Sequence, residues 1–185
     1  NWEAMRDTVT VRYALLPYLY SEFMKAALTD GMYFRPLAFD YAGDRRAVHT
    51  QDQLMLGGDC MIAPVYEQNA AGRYVYLPED MLMIRFRSAA DYDTAPLRKG
   101  DHWIDLSLRE FPLFVKKNRA VLLCRGGESS ETLDDRHFTR VGWMEREGEY
   151  ALYRDDGLTT SPDLAGSLTM VPLARGTGML GEVSC

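Results

Sequence analysis

The sequence has no apolar run approaching the roughly 20 residues that a bilayer-spanning helix needs. Its first residues lack a basic stretch followed by an apolar one, so neither a membrane span nor a targeting segment is expected. Lys and Arg never run longer than two in a row and the net charge is −6, which leaves no electrostatic footprint for nucleic acid or an anionic membrane. Cysteine is scarce. Cys60, Cys124 and Cys185 are widely spaced, odd in number and without a CxxC pair, so zinc and dithiol chemistry are not indicated, and reduced thiols in a cytoplasmic protein are expected. No Asn-x-Ser/Thr acceptor occurs, in keeping with that location. His49, His102 and His137 are too scattered for a metal triad; neither metal nor cofactor is expected.

What is there is an ordinary foldable composition. At 185 residues, with 46% hydrophobic and 26% charged, the chain suits one large domain or two small ones. Leu16, Leu19, Tyr20, Phe23, Ala27 and Leu28 recur at helical spacing and predict a long helix over residues 4–29, stopped by Asp30-Gly31. Pro17 lies inside it, removes the hydrogen bond to the Tyr13 carbonyl and predicts a kink. Residues 32–39 alternate little in polarity, the pattern of a strand covered on both faces as in a parallel sheet, with Pro36 demoting it to an edge or an end. Helix and strand make one αβ unit that cannot close its own sheet.

From about Gly57 the pattern changes to short strands between turns: residues 60–66, 72–77, 82–87, 102–106 and 113–124. That spacing predicts an antiparallel β-sandwich and a boundary near residues 55–58. A turn-rich tract, 126–135, precedes strands over 138–145 and 149–153, and Asp155-Asp156-Gly157 predicts a hairpin turn. Residues 161–185 carry too weak a pattern for an assignment.

Three blocks resemble glycoside hydrolase family 31. The first is Arg12-Tyr13-Ala14-Leu15-Leu16-Pro17-Tyr18-Leu19-Tyr20. The second is Arg35-Pro36-Leu37-Ala38-Phe39, then Asp52-Gln53-Leu54-Met55-Leu56-Gly57 and Met61-Ile62-Ala63-Pro64-Val65. The third is Gly72-Arg73-Tyr74-Val75-Tyr76-Leu77-Pro78, with Pro112-Leu113-Phe114-Val115 after it, and the run from Tyr150 through Tyr153 and Asp155 to Gly157 extends the match.

The resemblance implies an α/β plus all-β fold: the last αβ unit of a (β/α)8 barrel followed by antiparallel β-sandwich domains. Residues 1–56 would be the C-terminal end of the catalytic barrel, 57–125 a proximal sandwich, and 126–185 distal strands and tail. It further implies the C-terminal portion of a retaining α-glucosidase acting on terminal α-linked glucose. The catalytic aspartates would lie upstream of Asn1, so this chain is expected to hold no catalytic residue and to be inactive alone; substrate contacts are left unassigned. The implied partners are the α-glucoside and the N-terminal remainder of the same polypeptide, and a homodimer stays open.

The residues themselves offer weaker candidates. A retaining glycosidase needs two carboxyls roughly 5 Å apart, but the adjacent pairs Asp134-Asp135 and Asp155-Asp156 fall in turns and read as solvated carboxylates. Asp155, Asp156 and Asp163 place hard oxygens near one another without calcium-loop spacing. Residues 176–181 match the dinucleotide fingerprint formally, but no helix can follow, and a flexible tail is expected. Trp103, Trp143, Tyr74 and Tyr76 could stack on sugar rings, although at strand spacing such residues are more often core. Arg35 is expected to be held in a structural ion pair. The rival reading is a stand-alone carbohydrate-binding β-sandwich module with a helical extension, which would have no use for the first 55 residues; a third is a structural or oligomerisation domain.

Overall fold

The computed structural model describes residues 2–125, 129 and 132–185. It begins with a 27-residue helix, α1 (Trp2–Leu28), that runs unbroken through Pro17. The Tyr13 carbonyl that Pro17 cannot bond accepts from the Cys124 thiol at 3.5 Å. Val11, Ala14, Leu15, Tyr18, Ser21 and Glu22 form the buried face, stepping by three and four. That is not the stripe expected from apolar spacing: Tyr20 and Phe23 are exposed, as is Ala27. A count of hydrophobic residues passes over Ser21 and Glu22, which are buried because their polar atoms are bonded.

The strand expected over residues 32–39 is only β1 (Phe34–Pro36), and it lies antiparallel to β2 (Leu54–Leu56), not in a parallel sheet. Pro36 has no N–H to extend the ladder, and its φ of −55° leads straight into the short helix α2 (Leu37–Asp40). A further helix, α3 (Arg45–His49), is capped by Asp44, whose carboxylate accepts from the N–H groups of Arg46 and Ala47.

The other strands are all paired antiparallel: β3 (Cys60–Ile62), β4 (Gly72–Leu77), β5 (Met81–Phe86), β6 (Tyr92–Leu97), β7 (Gly100–Asp105), β8 (Phe111–Lys116), β9 (Ala120–Arg125), β10 (Asp134–Met144), β11 (Gly148–Tyr153), β12 (Leu168–Leu173) and β13 (Gly176–Ser184), with a 3-10 turn over Ala165–Ser167 between β11 and β12. A six-stranded sheet has the order β1-β2-β3-β8-β5-β6, flanked by β13-β10-β9 and the pairs β11-β12 and β4-β7. The boundary expected at residues 56 and 57 falls between β2 and β3, consecutive neighbours in the large sheet, and the one at 125 and 126 lies between β9 and its partner β10.

The middle of the large sheet is covered on both faces. Leu56, Cys60, Leu82, Ile84, Phe86, Leu113 and Val115 pack with α1 and β9–β12 in one core. Their strand neighbours Met55, Met61, Met81, Met83 and Phe114 point the other way, into a second core with β4, β7, Leu37 and Ala47.

Several expectations about strands need correction. Residues 113–124 are two strands in different sheets, separated by a turn at Asn118 with φ of 60° whose side chain accepts from the Glu145 N–H at 2.9 Å. The polar tract Lys116-Lys117-Asn118-Arg119 between the two apolar runs marks this turn in the sequence. β6 carries Pro96 and Asp93, tolerable because it is the edge of its sheet. The expected turn tract 126–135 lies partly outside the described residues. Asp155-Asp156-Gly157 does turn, with Gly157 at φ of 68°, but it opens a long connection from β11 to β12, not a tight hairpin.

The tail is no flexible appendage, since β12 pairs along all of β11 and β13 along β10. Its glycines fooled the pattern because they serve close packing: Gly178 has φ of 87°, and a Cβ there would meet Thr94 Oγ1 at 2.9 Å.

Candidate functional site

Neither carboxylate pair converges on a common point. Asp134 bonds His137 Nδ1 at 2.8 Å while Asp135 reaches Arg154 at 3.1 Å. Asp156 caps the N–H groups of Leu158 and Thr159. Asp155 departs from the solvated reading. It accepts from Tyr20 and Tyr153 hydroxyls, each at 2.9 Å, and from the Gly157 N–H. Partial burial raises its pKa, but these bonds outweigh that and hold it below the usual carboxylate range. Asp163 bonds the N–H groups of Ala165 and Gly166 and does not join Asp155 and Asp156 in a site. Among the described residues no three His, Cys, Asp or Glu side chains are grouped to hold a metal. His49 and His102 each turn back to a carbonyl four residues before them, those of Arg45 and Arg98.

The densest polar constellation lies where α1 meets the β2–β3 turn and β11. Glu22, 4% exposed, accepts from Tyr150 Oη at 2.7 Å and from the Gly58 N–H at 2.6 Å. Lys25, one turn on, pairs with the same carboxylate, donates to the Ala151 carbonyl at 3.1 Å and lies 4.2 Å from the centre of the Tyr150 ring. Ser21 accepts from the Tyr153 N–H at 2.8 Å. Beside them Tyr18 Oη meets Cys60 Sγ at 3.3 Å, and burial pushes the pKa of both groups up.

A cleft of about 610 Å³ opens along this seam, floored by Glu22, Lys25, Asp59, Arg119 and Tyr150. Burial, with the Glu22 charge added to it, pushes Asp59 up to about 6, against the pull of Arg119 at 3.0 Å. The cluster ties three elements together and presents no free nucleophile; its chemistry is that of a clamp. Arg35 belongs to the same junction. It holds Asp40 through two bonds of 2.7 Å and donates to the carbonyls of Met32 and Gly57, as the ion-pair expectation had it.

A second feature lies on the other side of the large sheet. The Gln53 carboxamide accepts from the Tyr76 N–H at 2.8 Å and donates to its carbonyl at 2.7 Å, so it occupies the free edge of β4 as a strand would. Asp52 pairs with Arg73, which also donates to the Pro64 carbonyl. On β4 and β7, Tyr74 and Trp103 stand opposite each other with ring centres 5.0 Å apart and planes at 69°. They are 69% and 50% exposed, so the core reading fails for this pair. It holds for Tyr76, which is buried and donates to Asp44 at 2.6 Å. Trp143 is half-buried, with Lys117 4.8 Å from the ring centre.

Sequence reasoning missed Glu22, Ser21 and Tyr66, which joins Tyr74 and Trp103 around one cleft. A signal existed for Glu22: it and Lys25 occupy an i, i+3 pair on a helix whose other buried positions are uncharged, and a charge there must be matched.

The model of the glycosyl hydrolase family 31 C-terminal domain matches residues 30–121. Alpha-glucosidase 2 of Bacillus thermoamyloliquefaciens is 31% identical over 170 residues, 90% of this chain and 21% of that protein. A probable glucan 1,3-alpha-glucosidase of Arabidopsis thaliana is 29% identical over 85% of this chain and 17% of its own length. Among solved structures, the family 31 alpha-xylosidase of Xanthomonas citri superposes with a TM-score of 0.67 at 28% identity, over 84% of this chain and 16% of that one. The Flavobacterium johnsoniae family 31 dextranase, complexed with glucose, gives 0.66 at 26% identity, over 83% and 19%. The chain thus spans a minor part of each relative.

Proposed function

This chain belongs to glycoside hydrolase family 31 as a C-terminal part, and on that premise we propose that it completes the barrel of a retaining α-glucosidase that releases terminal α-linked glucose from oligosaccharides. In this reading α1 is the last helix of the catalytic barrel and the sheets after it are the β-domain packed beside it. The hydrolytic carboxylates, one a nucleophile that forms a glycosyl ester and one an acid that protonates the leaving oxygen, stand on the N-terminal remainder of the polypeptide. A cytoplasmic setting is part of the same proposal, in keeping with free thiols at Cys60, Cys124 and Cys185.

What supports the reading is a second apolar stripe on α1. Trp2, Met5, Val9, Tyr20 and Phe23 are all exposed, at spacings close to helical turns, on a helix whose other face is already packed. At roughly 25 cal/mol per Å², leaving such side chains in water forfeits several kcal/mol that a partner surface would recover. The share of each relative left unmatched supplies a partner of the right kind.

The test is hydrolysis of maltose and an aryl α-glucoside by the full-length polypeptide beside this chain alone. Turnover in the full-length protein only is expected; turnover by this chain by itself would overturn the assignment of the carboxylates.

A further inference from the structure

Tyr66, Tyr74 and Trp103 are 70%, 69% and 50% exposed, and all three line one shallow cleft of about 260 Å³. Large aromatic side chains bury most of their area in a stable fold, so three in water around a single hollow call for an occupant. The β4–β7 pair that carries two of them buries Val75, Leu77 and Ile104 beneath it, so its outer face is not needed by the core. It lies across the large sheet from α1, whose side chains pack in the other core.

The rings are braced. The Trp103 indole N–H donates to Asp105 Oδ1 at 2.7 Å, which fixes the plane of the ring, and Tyr74 meets it edge to face. Arg73, held by Asp52 and by the carbonyls of Pro64 and Tyr74, sits 5.8 Å from the centre of the Tyr66 ring. Little rotamer freedom therefore remains to be lost on binding. Arg73 and Asp52 neutralise each other, which leaves Glu67 in the lining and the indole-bonded Asp105 beside it as acceptors, so the cleft favours a neutral, hydroxyl-bearing ligand over an anionic one. Its volume is below the roughly 300 Å³ at which enclosing pockets begin, which suits a chain lying along the surface.

We propose that this face is a surface site for an α-glucan chain, whose pyranose C–H faces pack on Trp103 and Tyr74 while its hydroxyls reach the carboxylates and carbonyls at the rim. The proposal rests on the α-glucan-acting reading of the full-length protein and deepens it: the β-domain would hold polymeric substrate.

The test is affinity electrophoresis of the full-length polypeptide through gels containing soluble starch or dextran, with Trp103→Ala and Tyr74→Ser, and Trp103→Phe as the variant that keeps a stacking face. Each truncation is expected to weaken glucan binding about tenfold, which corresponds to about 1.4 kcal/mol. Trp103→Phe should retain most of it, and kcat/KM on the polymer should fall while aryl α-glucoside turnover stays unchanged. Unchanged retardation in both truncation variants overturns the surface site, even with hydrolysis intact. Glucan binding lost in the variants of a protein that hydrolyses no α-glucoside would support the site and overturn the hydrolytic reading instead.

Discussion

A side chain on Gly57 would have to occupy the place of the Glu22 carboxylate: a Cβ built there lies 2.3 Å from Oε2. Gly57 also holds φ of 58°, a region costly for any other residue. Gly57→Ala therefore combines backbone strain with a clash against a buried, bonded carboxylate. Chemical denaturation should give a loss of about 2–4 kcal/mol; a loss below about 1 kcal/mol would mean that Glu22 is free to move aside.

Tyr150 donates to the same carboxylate from the other side. Tyr150→Phe keeps the ring and removes only the hydroxyl, with an expected cost of about 1–2 kcal/mol. Glu22→Ala leaves the Gly58 N–H and Lys25 without their acceptor and should cost about 3 kcal/mol or more. The two losses should not add, since either substitution already removes the shared bond. Simple additivity in the double variant would show that the hydroxyl and carboxylate are not coupled.

Asp59 sets the sign of one pH effect. Its folded pKa of about 6 lies above the ordinary value of 3.8, so between about pH 4 and 6 the native chain holds a proton that the unfolded chain has released. Stability from this group is then fully present below that window and falls as pH rises through it, by up to about 3 kcal/mol. Glu22, Lys25, Lys116 and Arg119 face it. Asp40 and Asp155, whose pKa values are lowered, act in the opposite sense at more acidic pH. Asp59→Asn should gain stability relative to the parent protein from pH 4 to 6 and level off above. Urea melts across that range measure it, and a constant difference would mean that Asp59 is ionised throughout.

Met5, 65% exposed, tests the outer stripe of α1. In this chain alone Met5→Ser should change stability by less than about 0.5 kcal/mol, as exposed positions do. In the full-length polypeptide the same substitution should cost about 1–3 kcal/mol, because the side chain becomes buried. Equal effects in both would show that nothing covers that face.

Strands were legible where they announce themselves by length and turn residues, as over 72–77 in the β4–β7 pair and 82–87 in the large sheet. The buried face of α1 was not, because Ser21 and Glu22 belong to it by virtue of bonds to Tyr153 and Tyr150, residues more than a hundred positions away. Local pattern carries no record of such partners. β13 was lost for a related reason, since Gly178 answers to Thr94 on another strand and Gly181 to Arg140 on β10. The aromatic cleft was half legible. Tyr74 and Trp103 stood out as residues, but only the pairing of β4 with β7 and the support beneath them turn both rings outward.

One face of the large sheet is furnished with thioethers. Met55, Met61, Met81 and Met83 all point toward the β4–β7 layer and are at most 6% exposed, while the opposite face uses branched and aromatic side chains and Cys60. Sulfur in that position is out of reach of peroxide as long as the layer stays closed, and each sulfoxide formed would put a polar group where none fits. Oxidation at these four positions therefore acts as a clock for lifting of the layer, readable by mass spectrometry without a reporter group being added.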